Sequence, residues 1–210
     1  RVGVYEGIKP NAGGSLLIAE PASGVTLSAE NFKADAADSV TSLGEDGKVY
    51  LSLCAHEMDD TGYTCKKCHT QFDARIGESA YYQTLAKAFQ NDGSTITLMR
   101  DVNLNGSCSA SDTITLDLHG KTITSEDKPI RVNEKLTVKD SSEGGGTQAL
   151  NVKFSVGSNG TLAVDDSYTG DISYVELRTG GALEAYTGTI QELLLGTGNG
   201  TGYSVKLWKD

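Results

Sequence analysis

Hydrophobic and polar positions alternate through most of the second half of this chain. From about residue 95 a small or polar residue, an apolar one, any residue and another apolar one recur. The segments read "STITLMRD", "DTITLDLHG", "EKLTVKD", "GTLAVDD", "GALEAY" and "YSVKLW". A period of two places every second side chain on one face, so each segment predicts a half-buried strand. With Ile96, Ile114, Leu136, Leu162, Leu183 and Val205 taken as equivalent, the steps are 18, 22, 26, 21 and 22 residues. A second strand precedes most of them, at "IRV" from 130, "VKFSV" from 152, "YVEL" from 174 and "QELLL" from 191. Between the paired strands lie "NEK", "GSNG" and "RTGG", which carry turn chemistry.

Two short strands, a tight turn and a longer variable loop make a unit of about 20 residues, too small to bury an apolar face alone. Stacking such units buries the faces jointly, which predicts an all-β chain built as a β-solenoid. A β-sandwich spaces its strands similarly but requires hairpins and less self-similarity. The solenoid is the favoured reading.

Ahead of the first coil stands "ESAYYQTLAKAFQNDGS". Tyr81, Tyr82, Leu85, Ala88 and Phe89 fall at helical spacing, Ser79 can cap the start and "NDG" at 91–93 can end it. We expect one N-terminal capping helix here, its apolar face covering the open edge of the first coil. The first 50 residues offer "GVYEGI", "GSLLIA", "GVTLSA" and "GKVYLSL" as further short strands, divided by glycine, proline and acidic turns. The expected organisation is a short β-rich segment over 1–50, ending a preceding repeat; a knuckle over 51–73; and the capping helix with its solenoid over 74–210.

Charge narrows the partners. The 210 residues include 18 basic and 28 acidic side chains, for a formal net charge of −10. Long-range repulsion then opposes phosphate backbones and anionic lipid, so nucleic acid is not an expected partner. No apolar run approaches the roughly 20 residues that cross a bilayer, so no direct membrane insertion is expected. The chain opens on Arg1 with no signal peptide, which suggests a processed piece of a longer protein.

Soft-ligand chemistry is concentrated in "LCAHEMDDTGYTCKKCHTQF", which holds three of the four cysteines and two of the three histidines. Cys54, His56, Cys65 and Cys68 form C-x-H-x8-C-x2-C. Two thiolates three apart reach one ion when a turn lies between them. Cys54 and His56, two apart, project alike from extended chain and can complete a tetrahedron. "DDTG" at 59–62 supplies the reversing turn, and Lys66 and Lys67 add charge that favours thiolates. Four such ligands close the shell, so structural zinc is the expected cofactor, and calcium and magnesium are excluded. A disulfide from Cys54 to Cys65 or Cys68, with Cys108 as a further partner, is the competing reading and leaves His56 without a role. His69 can replace His56 as the fourth ligand.

The run from "CAHEMDDTGYTCKKCHTQFDARIGESAYYQTLAKAFQNDGSTITLMRDVNL" to "TITLDLHGKTI" resembles modules of Gram-positive bacterial cell-surface proteins. Those modules join a C-x-H…C-x-x-C knuckle to a phrase carried here by Ala74, Ile76, Tyr82, Leu85, Ala88, Gly93, Ile96, Leu98, Asp101 and Val102. "LDLHGKTI" at 116–123 supplies their second part. "GVYEGI" also resembles the closing stretch of such a repeat. The resemblance covers residues 50–125. It implies a right-handed parallel β-helix of the pectin-lyase-like type within a large secreted or wall-attached protein. It carries fold and location better than activity. Where those modules show glycine after the last cysteine, this chain has His69, which keeps the fourth ligand open.

Parallel β-helices that act on polysaccharides place paired carboxylates on neighbouring coils. Asp117, Asp140, Asp165, Asp166 and Asp171 are the candidates, and Asp140 and Asp165 fall at equivalent places after "LTVK" and "LAV". We read them as turn-forming aspartates at strand ends. Arg131 and Arg178 are the guanidiniums near them in the solenoid. "VDDSYTGD" lacks a calcium spacing, and His119 reads as a turn residue. "GGG" at 144–146 and "GTGNGTG" at 196–202 precede no helix and read as loose loops. Tyr168, Tyr174, Tyr186, Tyr203 and Trp208 could stack on sugars, with packing against the last coil the commoner fate. The expectation is a non-catalytic structural or adhesive module, extracellular or at the cell surface or wall, monomeric within a larger chain and binding host protein or glycan. Its rival is a carbohydrate-active lyase or hydrolase module, or an accessory region of one.

Overall fold

The computed structural model describes residues 14–32, 39–91, 93–144, 148–196 and 202–207. The chain divides into two compact units, Arg1–Gln71 and Phe72–Asp210. In the first, β1 (Ser15–Ala19), β2 (Ser39–Leu43) and β3 (Val49–Leu53) form an antiparallel sheet in the order β1-β3-β2. Central β3 buries Val49 and Leu51. "GSLLIA" and "GKVYLSL" thus form strands as expected. "GVTLSA" does not: it carries a turn, with the Val25 amide on the Ala22 carbonyl, and runs into a 3₁₀ turn at Ala29–Asn31. Both edges of β3 are taken by β1 and β2, and that segment joins neither of them. "GVYEGI" lies outside the described residues.

The second unit begins with β4 (Ala74–Ile76), β5 (Ala80–Tyr82), α1 (Leu85–Ala88), β6 (Thr95–Leu98), β7 (Val102–Asn103) and β8 (Cys108–Ala110). It continues with β9 (Ile114–Asp117), β10 (Ile123–Thr124), β11 (Ile130–Val132), β12 (Lys135–Lys139), β13 (Leu150–Val156) and β14 (Thr161–Val164). It ends with β15 (Asp171–Leu177), β16 (Ala182–Ala185), β17 (Thr189–Leu195) and β18 (Ser204–Leu207). Two parallel ladders run through it. One stacks β6, β9, β12, β14, β16 and β18; the other stacks β7, β10, β13, β15 and β17, with β8 and β11 pairing alongside. Successive strands of each ladder come from successive passes of the chain, which makes a β-solenoid of about five turns.

The repeat read from the sequence is the register of the first ladder. Ile114 pairs with Leu136, Leu136 with Leu162, Leu162 with Leu183 and Leu183 with Val205. Ile114, Leu136, Leu162 and Leu183 are fully buried, as are Ile130, Phe154 and Val175 stacked across the other ladder. The first step differs from expectation: Ile96 pairs with Leu116, not Ile114, a step of 116 − 96 = 20 residues. A slip of two keeps every side chain on its own face, so alternation cannot detect it. In the last coil Leu193, Leu195, Val205 and Leu207 occupy the same columns but are exposed, because among the described residues no further coil covers them.

The expected capping helix is reduced to one turn. Tyr81 and Tyr82 belong to β5, paired antiparallel with β4, which in turn pairs antiparallel with β6. The chain turns helical only after Thr84, whose side chain accepts the Lys87 amide at 3.4 Å. Asn91 then donates its side-chain amide to the Lys87 and Ala88 carbonyls. The hairpin β4–β5 therefore occupies the edge of the first ladder, while Leu85, Ala88 and Phe89 join the core.

Candidate metal centre

The knuckle is built from turns. The Gly62 amide bonds to the Asp59 carbonyl, with Gly62 in the left-handed region at φ 77°, so "DDTG" reverses the chain as its composition predicts. Asp59 also accepts the Thr61 amide and hydroxyl. Single bridges join Met58 to Cys65 and Thr64 to Gln71, and the His69 amide closes onto the Cys65 carbonyl. The result brings Cys54, His56, Cys65 and Cys68 together, with ligand atoms all within 4.8 Å of one another. The Cys54 and Cys65 sulfurs are 3.5 Å apart, and Cys68 Sγ lies 3.6 Å from His56 Nδ1. That is close enough to bind a metal ion. All four cysteines are free thiols, and Cys108 is buried in the second unit, so the structure contains no cystine where the competing reading placed one.

The electrostatics split the two buried thiols. Burial, with hydrogen bonds to Cys65 and Cys68, pushes Cys54 up to about 12. Burial also acts to raise Cys65. The Cys68 backbone, the His56 side chain and the backbones of Glu57 and Lys67 together outweigh it and bring Cys65 down to about 5. Cys65 is thus the more acidic of these two thiols. The lysines contribute differently from expectation. Lys66 Nζ and Lys67 Nζ each sit 3.6 Å from the Glu57 carboxylate, and it is the Lys67 backbone amide that points at Cys65 Sγ, at 3.4 Å. His69 stays out of the donor group. Its φ of 56° is the left-handed conformation that glycine adopts without strain.

The solenoid's aspartates are engaged in turns. Asp117 Oδ1 accepts the His119 amide at 3.1 Å, Asp140 Oδ1 the Ser142 amide at 2.8 Å, and Asp165 Oδ1 the Ser167 amide at 3.1 Å. Each is the same side-chain turn, two residues ahead, at the end of a strand. The turns are also tied between coils: Asp117 accepts the Ser141 amide, Asp140 accepts the Gly120 amide at 3.0 Å, and the Asp140 amide bonds to Ser167 Oγ. Asp140 and Asp165 are not at equivalent positions. The Asp165 amide pairs with the Val138 carbonyl, so Asp165 stands beside Lys139, one residue out of step with Asp140. His119 is a turn residue at φ 47°, its Nδ1 3.1 Å from Ser141 Oγ. Tyr168 is buried, its hydroxyl donating to the Gln148 and Asp171 carbonyls, while Tyr174 lies 4.9 Å beneath Lys153 Nζ. Tyr203 packs partly against the core, and Tyr186 is exposed. Trp208 and most of the two glycine-rich stretches lie outside the described residues.

One structural pair escaped the sequence reading. Buried Asp73 receives Arg100 through Nε at 2.9 Å and Nη2 at 2.7 Å on one oxygen, and the Leu85 amide on the other at 3.1 Å. It ties the entry of β4, the exit of β6 and the start of α1. The signal was present as "DARIG" and "RDV", polar residues set beside strand ends, but nothing in their spacing couples positions 27 apart.

No family model, curated protein or solved structure matches this chain. Among the described residues no helix is long and apolar enough to cross a membrane.

Proposed function

We propose that this chain is a non-catalytic structural or adhesive module of a large bacterial surface or secreted protein. In this reading zinc organises the knuckle, and the solenoid acts as a stiff element that presents other domains or binds host protein or glycan. The observation that carries the reading is how the solenoid spends its carboxylates. Asp117, Asp140 and Asp165, which an enzyme of this architecture could use as acid and base, each hold backbone amides of their own turns. The proposal of zinc rests on the donor set: three sulfurs and one imidazole suit that ion, and four protein ligands leave no open position for a catalytic water. A filled shell of this kind contributes to local folding.

Elemental analysis of the purified chain should give one zinc per chain, and Cys65→Ser should lose it. Unchanged stoichiometry in that variant would refute the ligand set. Amide exchange should rise across 54–71 in the variant, with the solenoid strands unaffected, since they have their own stacked core. Incubation with neutral and acidic polysaccharides should give no cleavage. Cleavage abolished by Asp165→Asn would replace this reading with the enzymatic one.

A further inference from the structure

A cleft opens on the outer face of the first ladder. Ala163 points outward, because its neighbours Leu162 and Val164 point into the core, yet it is only 5% exposed. Its column explains why. Thr137 lies beside it on one coil and Glu184 on the next, so a methyl group stands between longer side chains. The Tyr186 amide pairs with the Val164 carbonyl, which sets the Tyr186 ring next to Asp165. The opening of about 300 Å³ is lined by Lys135, Thr137, Asp165, Asp166, Glu184 and Tyr186 over the Ala163 floor. This is the size of the smaller ligand pockets of proteins.

The lining restricts what can enter. Three carboxylates oppose an anion. They do not form a cation site either: among the described residues only the Cys/His group brings three or more such donors into ligand range. Glu184 already gives one oxygen to Lys206, at 3.1 Å. The same lining presents Tyr186, a residue 46% accessible, beside hydroxyl, ammonium and carboxylate groups. A neutral sugar ring matches this, with its C–H face on the tyrosine and its hydroxyls donating to carboxylates and accepting from Lys135 and Thr137. We propose that this cleft binds the terminal residue of an uncharged glycan. The inference deepens the adhesive reading above and rests on it.

The test is ligand-observed NMR and calorimetry on the full chain. The probes are the methyl glycosides of glucose, galactose, mannose and N-acetylglucosamine, with methyl glucuronide and a lysine-rich peptide as charged comparators. At least one neutral glycoside should bind in preference to both comparators. Ala163→Leu, which fills the floor, and Tyr186→Ala, which removes the stacking face, should each weaken binding about tenfold. Tyr186→Phe should keep it, which separates loss of the ring from loss of fold. Binding unchanged by Ala163→Leu overturns this site and leaves adhesion through another surface. Preference for glucuronide or for the peptide overturns the ligand class. No binding to any probe, in a chain that still captures host protein, overturns the cleft but not adhesion; no binding to either overturns both.

Discussion

Asp140 offers the sharpest test of the claim that strand-end carboxylates hold this solenoid together. The side chain is 2% exposed and accepts two amides, Ser142 at 2.8 Å and Gly120 of the neighbouring coil at 3.0 Å. Asp140→Ala removes both acceptors. Hydrogen bonds to a charged group contribute about 1.5–3 kcal/mol each. Gly120 lies in an exposed turn where water can partly replace the carboxylate. The expected loss is therefore about 3 kcal/mol rather than the full sum. For a chain of this size that lowers Tm by about 6–12 °C. Asp140→Asn retains one acceptor oxygen and should lose about half as much. Asp127→Ala, at an exposed loop position, serves as the control and should stay within about 0.5 kcal/mol. Thermal and urea unfolding followed by far-UV circular dichroism would measure all three. Equal stability of Asp140→Ala and Asp127→Ala would refute the reasoning, because it would mean that the buried carboxylate costs as much to desolvate as its amides return.

Gly160→Ala should destabilise by about 3 kcal/mol or more, since a β-carbon there would sit 2.1 Å from the Val132 carbonyl oxygen; a variant that unfolds like the parent in urea would contradict the coil spacing. His69→Gly should leave zinc stoichiometry unchanged and stabilise the knuckle by up to about 1 kcal/mol, read as slower amide exchange across 54–71, because glycine relieves the left-handed backbone. Loss of zinc in that variant would make His69 a ligand after all. Asp165 is held below its ordinary 3.8: burial acts to raise it, and the Ser167 backbone and side chain, with Asp166 and Lys139, outweigh that. Its contribution to stability is therefore complete above 3.8 and is lost as pH falls through the lower folded value. Urea midpoints taken from about pH 5 down to about pH 2 should fall less steeply in Asp165→Asn than in the parent. An identical acid limb would show that the turn does not depend on the ionised form.

What could be read from the sequence was whatever depends on local order. Alternation located the strands because each coil must bury Leu136 or its equivalents, and the four knuckle donors were legible because they fall between residues 54 and 68 with a turn sequence between them. Register by two was not legible, since Ile114 and Leu116 are both buried and either could face Ile96. The helix was overread for a related reason. Tyr81 and Tyr82 fit helical spacing, but pairing β5 with β4 satisfies their backbone before a helix can extend back through them. β2 went unseen because "SVTSL" carries little apolar alternation and is fixed mainly by its partner β3. Asp73 and Arg100 were invisible as a pair because only the fold sets them side by side.

Two populations stand out among the carboxylates of this solenoid, with Asp165 common to both, and the distinction bears on how a parallel β-fold is read for chemistry. Each bend leaves amides that the parallel ladder no longer satisfies, and an aspartate at the strand end accepts the amide two residues ahead. Stacking then brings such aspartates onto neighbouring coils, where they resemble a catalytic pair without being one. Much of the acidity near strand ends is turn chemistry for this reason. Asp166 and Glu184 differ, because they line the Ala163 cleft on an outer face where the ladder itself needs no side chain. Substituting the first population should cost stability, and substituting the second should cost binding while the fold stays intact. If Glu184→Gln destabilised the chain as much as Asp140→Ala, the division would fail, and the cleft would be part of the scaffold rather than a place to hold a sugar.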